Sequence, residues 1–241
     1  MLELKEHEYE KVVLIGLITK IQDEEESKEY LDELEFLAYT AGGEVLKRFT
    51  DALGLKKFHL VGHSVGTCIA AAFHQSYPEK LLSLTLAEAV IGSGKELKEK
   101  QELLIAARFK EFDEMSPREV AQRKTPNSLS PNAGSEIIQA AIDFAANVKV
   151  EGHLRLFVSL VRVNIFDFVT PLSCPAMIIA GSEDKSAPAE FVQQIANAYP
   201  GIEYHLIEGI GHQIAFEKPA VFVELLREQF RNGENQMQAA E

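Results

Sequence analysis

The chain has 241 residues, of which 24 are basic and 37 are acidic, and its formal net charge at pH 7 is −13. This charge argues against nucleic acid or an anionic membrane as the main partner. No apolar run approaches the ~18 residues that a transmembrane helix requires. The two cysteines, Cys68 and Cys174, show no metal-ligand spacing with histidines. We therefore expect a cytoplasmic α/β protein that needs no metal or other cofactor; its oligomeric state stays open.

The N-terminal part of the chain is expected to contain one strand and one or two helices. Residues 11–18 (KVVLIGLI) are typical of a buried strand. Residues 23–40 place apolar side chains at helical spacing and predict an amphipathic helix. Residues 44–53 fit either a helix that ends at Gly54, the interpretation we favour, or a strand.

Residues 9–50 resemble the N-terminal domain of HflX-type GTPases, the family in which EVLKRFT would form a strand. The resemblance stops near residue 50, and a GTPase does not follow. The nearest phosphate-loop candidate is residues 92–96 (GSGKE). It lacks the Ser or Thr after Lys95 that would hold magnesium, and Ala89 stands where the first glycine belongs. GTP hydrolysis is therefore not expected.

The most informative stretch is residues 58–78 (FHLVGHSVGTCIAAAFHQSYP), which predicts a strand, a tight turn and a helix. The turn contains a G-x-S-x-G pattern, the sequence form of a nucleophile elbow, with Ser64 at its centre. Glycines flank the serine because its backbone conformation is unfavourable and leaves no room for bulk. The Val65 N–H, at the start of the helix, would be free to bind an oxyanion. The alternative is an ordinary strand–turn–helix connection with a capping serine.

Two further candidates follow predicted strands. Asp184 lies after the apolar strand 177–180, and His212 follows the strand 204–207 in a glycine-rich turn. Active sites of open α/β sheets lie at the carboxyl ends of strands. The order Ser64, Asp184, His212 is that of the α/β-hydrolase triad. In this interpretation Ser64 attacks, His212 takes its proton, and Asp184 holds the imidazole in the useful tautomer.

Each of these candidates has an alternative interpretation. His212 could be an ordinary loop histidine, and Asp184 could be a helix N-cap. Two other carboxylates could be the acid: Glu183, the neighbour of Asp184, and Glu88, which follows strand 84–86. Structural roles are expected for His63 and His74.

From about residue 51 onward the chain resembles α/β-hydrolases, and most closely the enol-lactonase-like and haloperoxidase-like esterases. Four segments carry the resemblance: 51–66 (DALGLKKFHLVGHSVG), 77–89 (YPEKLLSLTLAEA), 175–184 (PAMIIAGSED) and 202–217 (IEYHLIEGIGHQIAFE). The resemblance implies an α/β fold with a mostly parallel sheet of α/β-hydrolase type and a helical lid. It also implies an esterase or lactonase that acts on a small, mainly apolar ester or lactone substrate.

The predicted organisation has five parts: residues 1–50 form a GTPase-like βα segment that docks on the sheet, 51–94 a hydrolase core with the elbow, 95–170 a helical lid, 171–231 the rest of the core, and 232–241 a disordered tail. Lid helices are expected around 103–112, 137–144 and 154–161, with breaks at 125–127 and 130–132. A last helix should open at Lys218-Pro219 and run to about residue 230.

The N-terminal strands of the hydrolase family are missing, and so is the His-Gly loop that supplies the second oxyanion donor. The one possible substitute is Ile15-Gly16-Leu17, with Leu17 as the donor. The simplest account is a fusion, natural or engineered, or a faulty gene model. In either case the strand at 12–18 should pair in parallel with residues 58–61. Two function classes remain: a serine hydrolase, impaired if its oxyanion hole is incomplete, or a catalytically silent binding module or scaffold.

Overall fold

The computed structural model describes residues 12–15, 47 and 49–240, and its central feature is one sheet of parallel strands. The strands lie in the order β1-β2-β3-β4-β5, and each neighbouring pair is parallel. They are β1 (Val12–Ile15), β2 (Phe58–His63), β3 (Leu81–Ala87), β4 (Ala176–Gly181) and β5 (Glu203–Ile207). This arrangement confirms the predicted α/β class with a mostly parallel sheet.

Strand β1 pairs with the strand that leads into the Ser64 turn. Val12 lies opposite His59 and Ile15 lies opposite Gly62. The predicted pairing is therefore confirmed for residues 12–15. Residues 16–18, including Leu17, and the helix expected at 23–40 lie outside the described residues.

In the ambiguous segment at 44–53, the described residues 47 and 49–52 are helical and Leu53 lies in a turn. Gly54 follows with a φ of 68°. A glycine adopts this left-handed conformation without the steric cost that a Cβ imposes, and so it terminates the helix. The helical interpretation is confirmed over these residues, and the strand is not.

Eight further helices connect or flank the strands within the described residues. They are α1 (Val65–Ser76), α2 (Lys98–Glu114), α3 (Pro117–Ser128), α4 (Ser135–Ala145), α5 (Val150–Arg162), α6 (Ala189–Ala198), α7 (Ile214–Glu217) and α8 (Pro219–Ala240). In this part of the chain, none is long and apolar enough to cross a bilayer.

Both faces of the sheet are covered by helices. Leu60 and Ile178 belong to an apolar cluster with α1 and α6, whereas Val61 and Ile179 belong to a second cluster with α8. Neighbouring residues on a strand point to opposite faces, so a strand buried on both sides needs a continuous apolar run. This requirement explains the uninterrupted apolar sequence of β4, and β2 follows it except at its two histidines, His59 and His63.

The segment between β3 and β4 folds as the four helices α2 to α5. A break expected at residues 125–127 does not occur, because α3 continues through Pro126 to Ser128. Pro126 lies in the last turn, where its missing N–H removes a single hydrogen bond. The start of α3 is fixed by a capping box between Ser116 and Glu119. The break expected at 130–132 separates α3 from α4.

The expected disordered tail is also wrong within the described residues, since α8 runs to Ala240. A Cβ on Gly233 would collide with the carbonyl oxygen of Leu82, so α8 lies directly against the sheet there. Farther along α8, the Gln236 amide lies 3.5 Å from the carbonyl oxygen of Ser173. These tertiary contacts extend the helix beyond the last apolar residues that the sequence pattern marks.

Candidate active site

Ser64 lies in a strained turn between β2 and α1. Its φ of 53° and ψ of −123° are unfavourable for a residue with a Cβ. A Cβ on Gly62 would collide with the carbonyl oxygen of Gly66 and lie 2.9 Å from the Thr67 Cα, so glycine is required there. The strand, the turn and the helix thus occur where the G-x-S-x-G pattern places them.

His212 and Asp184 form a continuous hydrogen-bonded chain with Ser64. The His212 Nε2 lies 2.8 Å from the Ser64 Oγ, and its Nδ1 lies 2.6 Å from the Asp184 Oδ2. A carboxylate only accepts, so Nδ1 carries the proton and Nε2 is free to accept from the serine hydroxyl. The side chain of Asp184 is fully buried, and that of His212 is 8% exposed. The three predicted residues are therefore brought together in the geometry of an acid–base–nucleophile chain.

The backbone holds the second oxygen of Asp184. Its Oδ1 accepts hydrogen bonds from the N–H groups of Ser186 and Ala187, at 2.7 and 2.9 Å. Glu183 points elsewhere, because its Oε2 accepts a hydrogen bond from the Ser130 hydroxyl at 2.5 Å. Asp184 thus fixes its own turn and contacts the imidazole, whereas Glu183 does not contact His212.

Glu88 and His63 form a second carboxylate–histidine pair beside the first. Glu88 is fully buried, has a φ of 52°, and places its Oε2 2.5 Å from the His63 Nε2. Burial opposes protonation of His63, but the hydrogen bond and charge of Glu88 outweigh it, and the pKa of His63 is raised. From the sequence, Glu88 is an alternative acid and His63 has a structural role. Their contact is not evident from the sequence, although both residues lie at the carboxyl ends of adjacent strands.

The C-terminal end of α3 and the loop after it, residues 128–130, contact the His212 loop, a contact that no local sequence pattern indicates. The His212 N–H donates to the Ser128 carbonyl oxygen at 2.6 Å. Glu217 accepts from the Ser130 N–H at 2.7 Å and from the Gly211 N–H at 2.9 Å. The histidine loop is therefore held by a connection that belongs to the α2–α5 segment.

Other reactive groups are less suited to act as nucleophiles. Burial raises the pKa of the Cys68 thiol to about 12 and that of Cys174 to about 11, so both thiols stay protonated at neutral pH. Within the described part of the chain, no cluster of three or more His, Cys, Asp or Glu side chains could hold a metal ion. Val65 is the first residue of α1, where a backbone N–H has no intrahelical acceptor.

Comparison with known proteins agrees with this fold and reveals a second similarity. The sequence model of the alpha/beta hydrolase fold family matches residues 38–135 and so begins ahead of the boundary expected at residue 51. A 2-hydroxy-6-oxononadienedioate/2-hydroxy-6-oxononatrienedioate hydrolase from Paraburkholderia phymatum is 26% identical over 194 residues, covering 76% of this chain and 65% of its own. The GTPase HflX of Flavobacterium psychrophilum is 55% identical over 53 residues, 22% of this chain and 13% of that protein. The chain thus spans less than two thirds of the length of these curated relatives.

Solved structures show the same architecture. A thermophilic esterase from Thermogutta terrifontis has a TM-score of 0.70 at 23% identity, over 83% of this chain and 72% of its own. The enol-lactonase from Burkholderia xenovorans has a TM-score of 0.68 at 16% identity, over 79% and 71% of the two chains. The protein therefore has the α/β-hydrolase fold, and its N-terminal segment is similar to part of an HflX-type GTPase.

Proposed function

We propose that the protein is a serine hydrolase that cleaves a carboxylic ester or lactone through an acyl-enzyme on Ser64. The observation that carries this proposal is the chain of short hydrogen bonds from Ser64 through His212 to Asp184. A serine hydroxyl is a weak nucleophile unless a correctly oriented base removes its proton. Here the base accepts from the serine while a buried carboxylate fixes its tautomer.

The geometry supports a two-step reaction. The Ser64 Oγ attacks the carbonyl carbon of the substrate as its proton moves to His212 Nε2. The tetrahedral intermediate then expels the leaving alcohol, which takes that proton, and an acyl group remains on Ser64. Water next gives a proton to His212 and attacks the acyl carbon. Ser64 recovers the proton as the carboxylic acid leaves.

The oxyanion of the intermediate requires hydrogen-bond donors. The Val65 N–H, at the N-terminus of α1, is the first donor in this proposal, since the helix dipole also favours negative charge there. The N–H of Leu17 is proposed as the second donor on sequence grounds; Leu17 lies outside the described residues, two positions after Ile15, which pairs with Gly62. Loss of one such donor typically costs about 3 kcal/mol, or roughly 10² to 10³ in rate.

The substrate class follows from the surroundings of the site. Helices α2 to α5 connect β3 to β4 and, in this proposal, form a lid that lines the acyl or ring side of the pocket. Their apolar residues favour a small and mainly apolar ester or lactone. Two of the structural neighbours are an esterase and an enol-lactonase, which supports this class. The net charge of −13 disfavours a nucleic-acid or anionic-membrane partner.

Hydrolysis of p-nitrophenyl acetate tests the proposal. Ser64→Ala should lower the rate by at least about 10³-fold, because the nucleophile and its base act as one unit. Ser76→Ala is the matched control: it removes an exposed serine at the other end of the same helix and should leave the rate unchanged. Equal activity in the wild type and in folded Ser64→Ala would contradict the proposal. The alternative function, a catalytically silent binding module, would then be favoured.

A further inference from the structure

Glu88 is a buried carboxylate that the reaction outlined above does not use. It lies directly after β3, and its own N–H donates to the Ile179 carbonyl oxygen at 2.8 Å. Its φ of 52° adds backbone strain of a kind that persists only where the surrounding structure enforces it. A buried ionised carboxylate is expensive, and its replacement by apolar residues is often neutral or stabilising. Stability alone therefore does not account for Glu88.

The two oxygens of Glu88 reach the backbone on the far side of His212. Its Oε1 accepts a hydrogen bond from the Ile214 N–H at 2.9 Å. Its Oε2 lies 2.5 Å from the His63 Nε2, which also lies 3.1 Å from the carbonyl oxygen of His212. Both neighbours of this nitrogen are acceptors, so the Nε2 carries a proton and donates to both. Glu88 thus holds Ile214 directly and the His212 carbonyl through His63.

We infer that Glu88 and His63 are positioning residues, which fix the backbone around His212 and so aim its imidazole at Ser64. The inference rests on the proposed function. Together with the Ser128 carbonyl, which accepts from the His212 N–H, the pair fixes the backbone of His212 on both sides. Misplacement of a catalytic group by ~1 Å can cost about 10²-fold in rate. A loop that carries the base therefore needs such support.

Substitutions that preserve shape separate positioning from simple stability. Glu88→Gln keeps an acceptor for Ile214 but presents an amide, which is a poorer partner for the Nε2 donor of His63. His63→Leu removes the link to the His212 carbonyl, whereas His63→Gln restores a donor near the position of Nε2. His74→Gln is the control, since it alters a fully buried histidine of α1 that contacts Thr170 and Ser173 instead of the His212 loop.

Two readouts are measured on the full chain. The first is steady-state hydrolysis of p-nitrophenyl acetate: kcat should fall about 10- to 100-fold in Glu88→Gln and His63→Leu with KM unchanged. It should recover in His63→Gln and stay at the wild-type value in His74→Gln. The second is the low-field proton resonance of the His212–Asp184 hydrogen bond, which should shift or broaden in the same two variants only.

The inference requires both readouts to change together in an active protein. A kcat of Glu88→Gln within twofold of the wild type, or an equal loss in His74→Gln, would overturn it. If the wild type does not hydrolyse the ester, the proposed function fails, and the resonance alone decides the positioning role. An unchanged resonance in folded Glu88→Gln then overturns the inference, and a changed one supports it.

Discussion

The strained backbone of Ser64 makes a prediction about stability that is independent of any substrate. A residue with a Cβ at a φ of 53° and a ψ of −123° carries about 1–3 kcal/mol of strain. Ser64→Ala keeps this strain and Ser64→Gly relieves it, while both remove the hydroxyl that faces His212. Glycine loses about 0.4–1 kcal/mol through the greater freedom of the unfolded chain. Ser64→Gly should therefore be more stable than Ser64→Ala by about 1 kcal/mol, and by at most ~2.6 kcal/mol.

Urea and thermal unfolding measure this difference. For a chain of this size, 1 kcal/mol corresponds to about 2–4 °C in Tm. The control is Ala106→Gly, at an exposed position within α2, where the same alanine-to-glycine change should lower stability by about 1 kcal/mol. The two sites should thus respond with opposite sign. If Ser64→Ala were as stable as Ser64→Gly, the turn would not be strained as described.

Three further predictions concern the sheet and its faces. Gly62→Ala should lower the free energy of unfolding by about 1–3 kcal/mol, because the added Cβ would collide with the backbone of Gly66. The change should appear as a lower urea midpoint, and an unchanged midpoint would contradict the described packing. Burial lowers the pKa of His59 to about 4 from 6.5, so the unfolded chain binds a proton between these values that the folded chain does not. The wild type should therefore lose up to about 3 kcal/mol relative to His59→Gln between pH 7 and pH 4, and a constant difference would refute the assignment. Removal of residues 1–50 should lower the Tm of the whole protein, since β2 would lose its partner β1; an unchanged Tm would show that the segment is a separate appendage.

The sheet and the three site candidates could be predicted because their signals are local. Ser64 and Asp184 each follow a short, mainly apolar strand within a few residues, whereas His212 follows the mixed strand EYHLI and is marked by its glycine-rich turn. The carboxyl ends of parallel strands meet at one edge of the sheet. Chain order and fold class then bring the three side chains together without any knowledge of distances.

The contacts that support these residues were not predictable from the same signals. His63 and Glu88 are 25 positions apart, and Ser130 and Glu217 are 87 apart. Such pairs depend on how strands and connections pack and not on local pattern. The same reason explains the extension of α8 to Ala240, where packing against Leu82 decides and residue type alone does not. The break expected at Pro126 was wrong because the cost of a proline depends on its position in the helix.

The central claim is that Ser64 is a nucleophile activated by His212, and labelling with a fluorophosphonate tests it most directly. The reagent forms a covalent bond only with a serine whose proton is removed by a base and whose neighbourhood binds the developing anion. Intact-mass and peptide mass spectrometry of the full chain should show one adduct per protein, located on Ser64. The adduct should be absent from folded Ser64→Ala and should form far more slowly in Asp184→Asn, in which the imidazole tautomer is no longer fixed. Absence of an adduct from the folded wild type, or an adduct on another residue, would contradict the account.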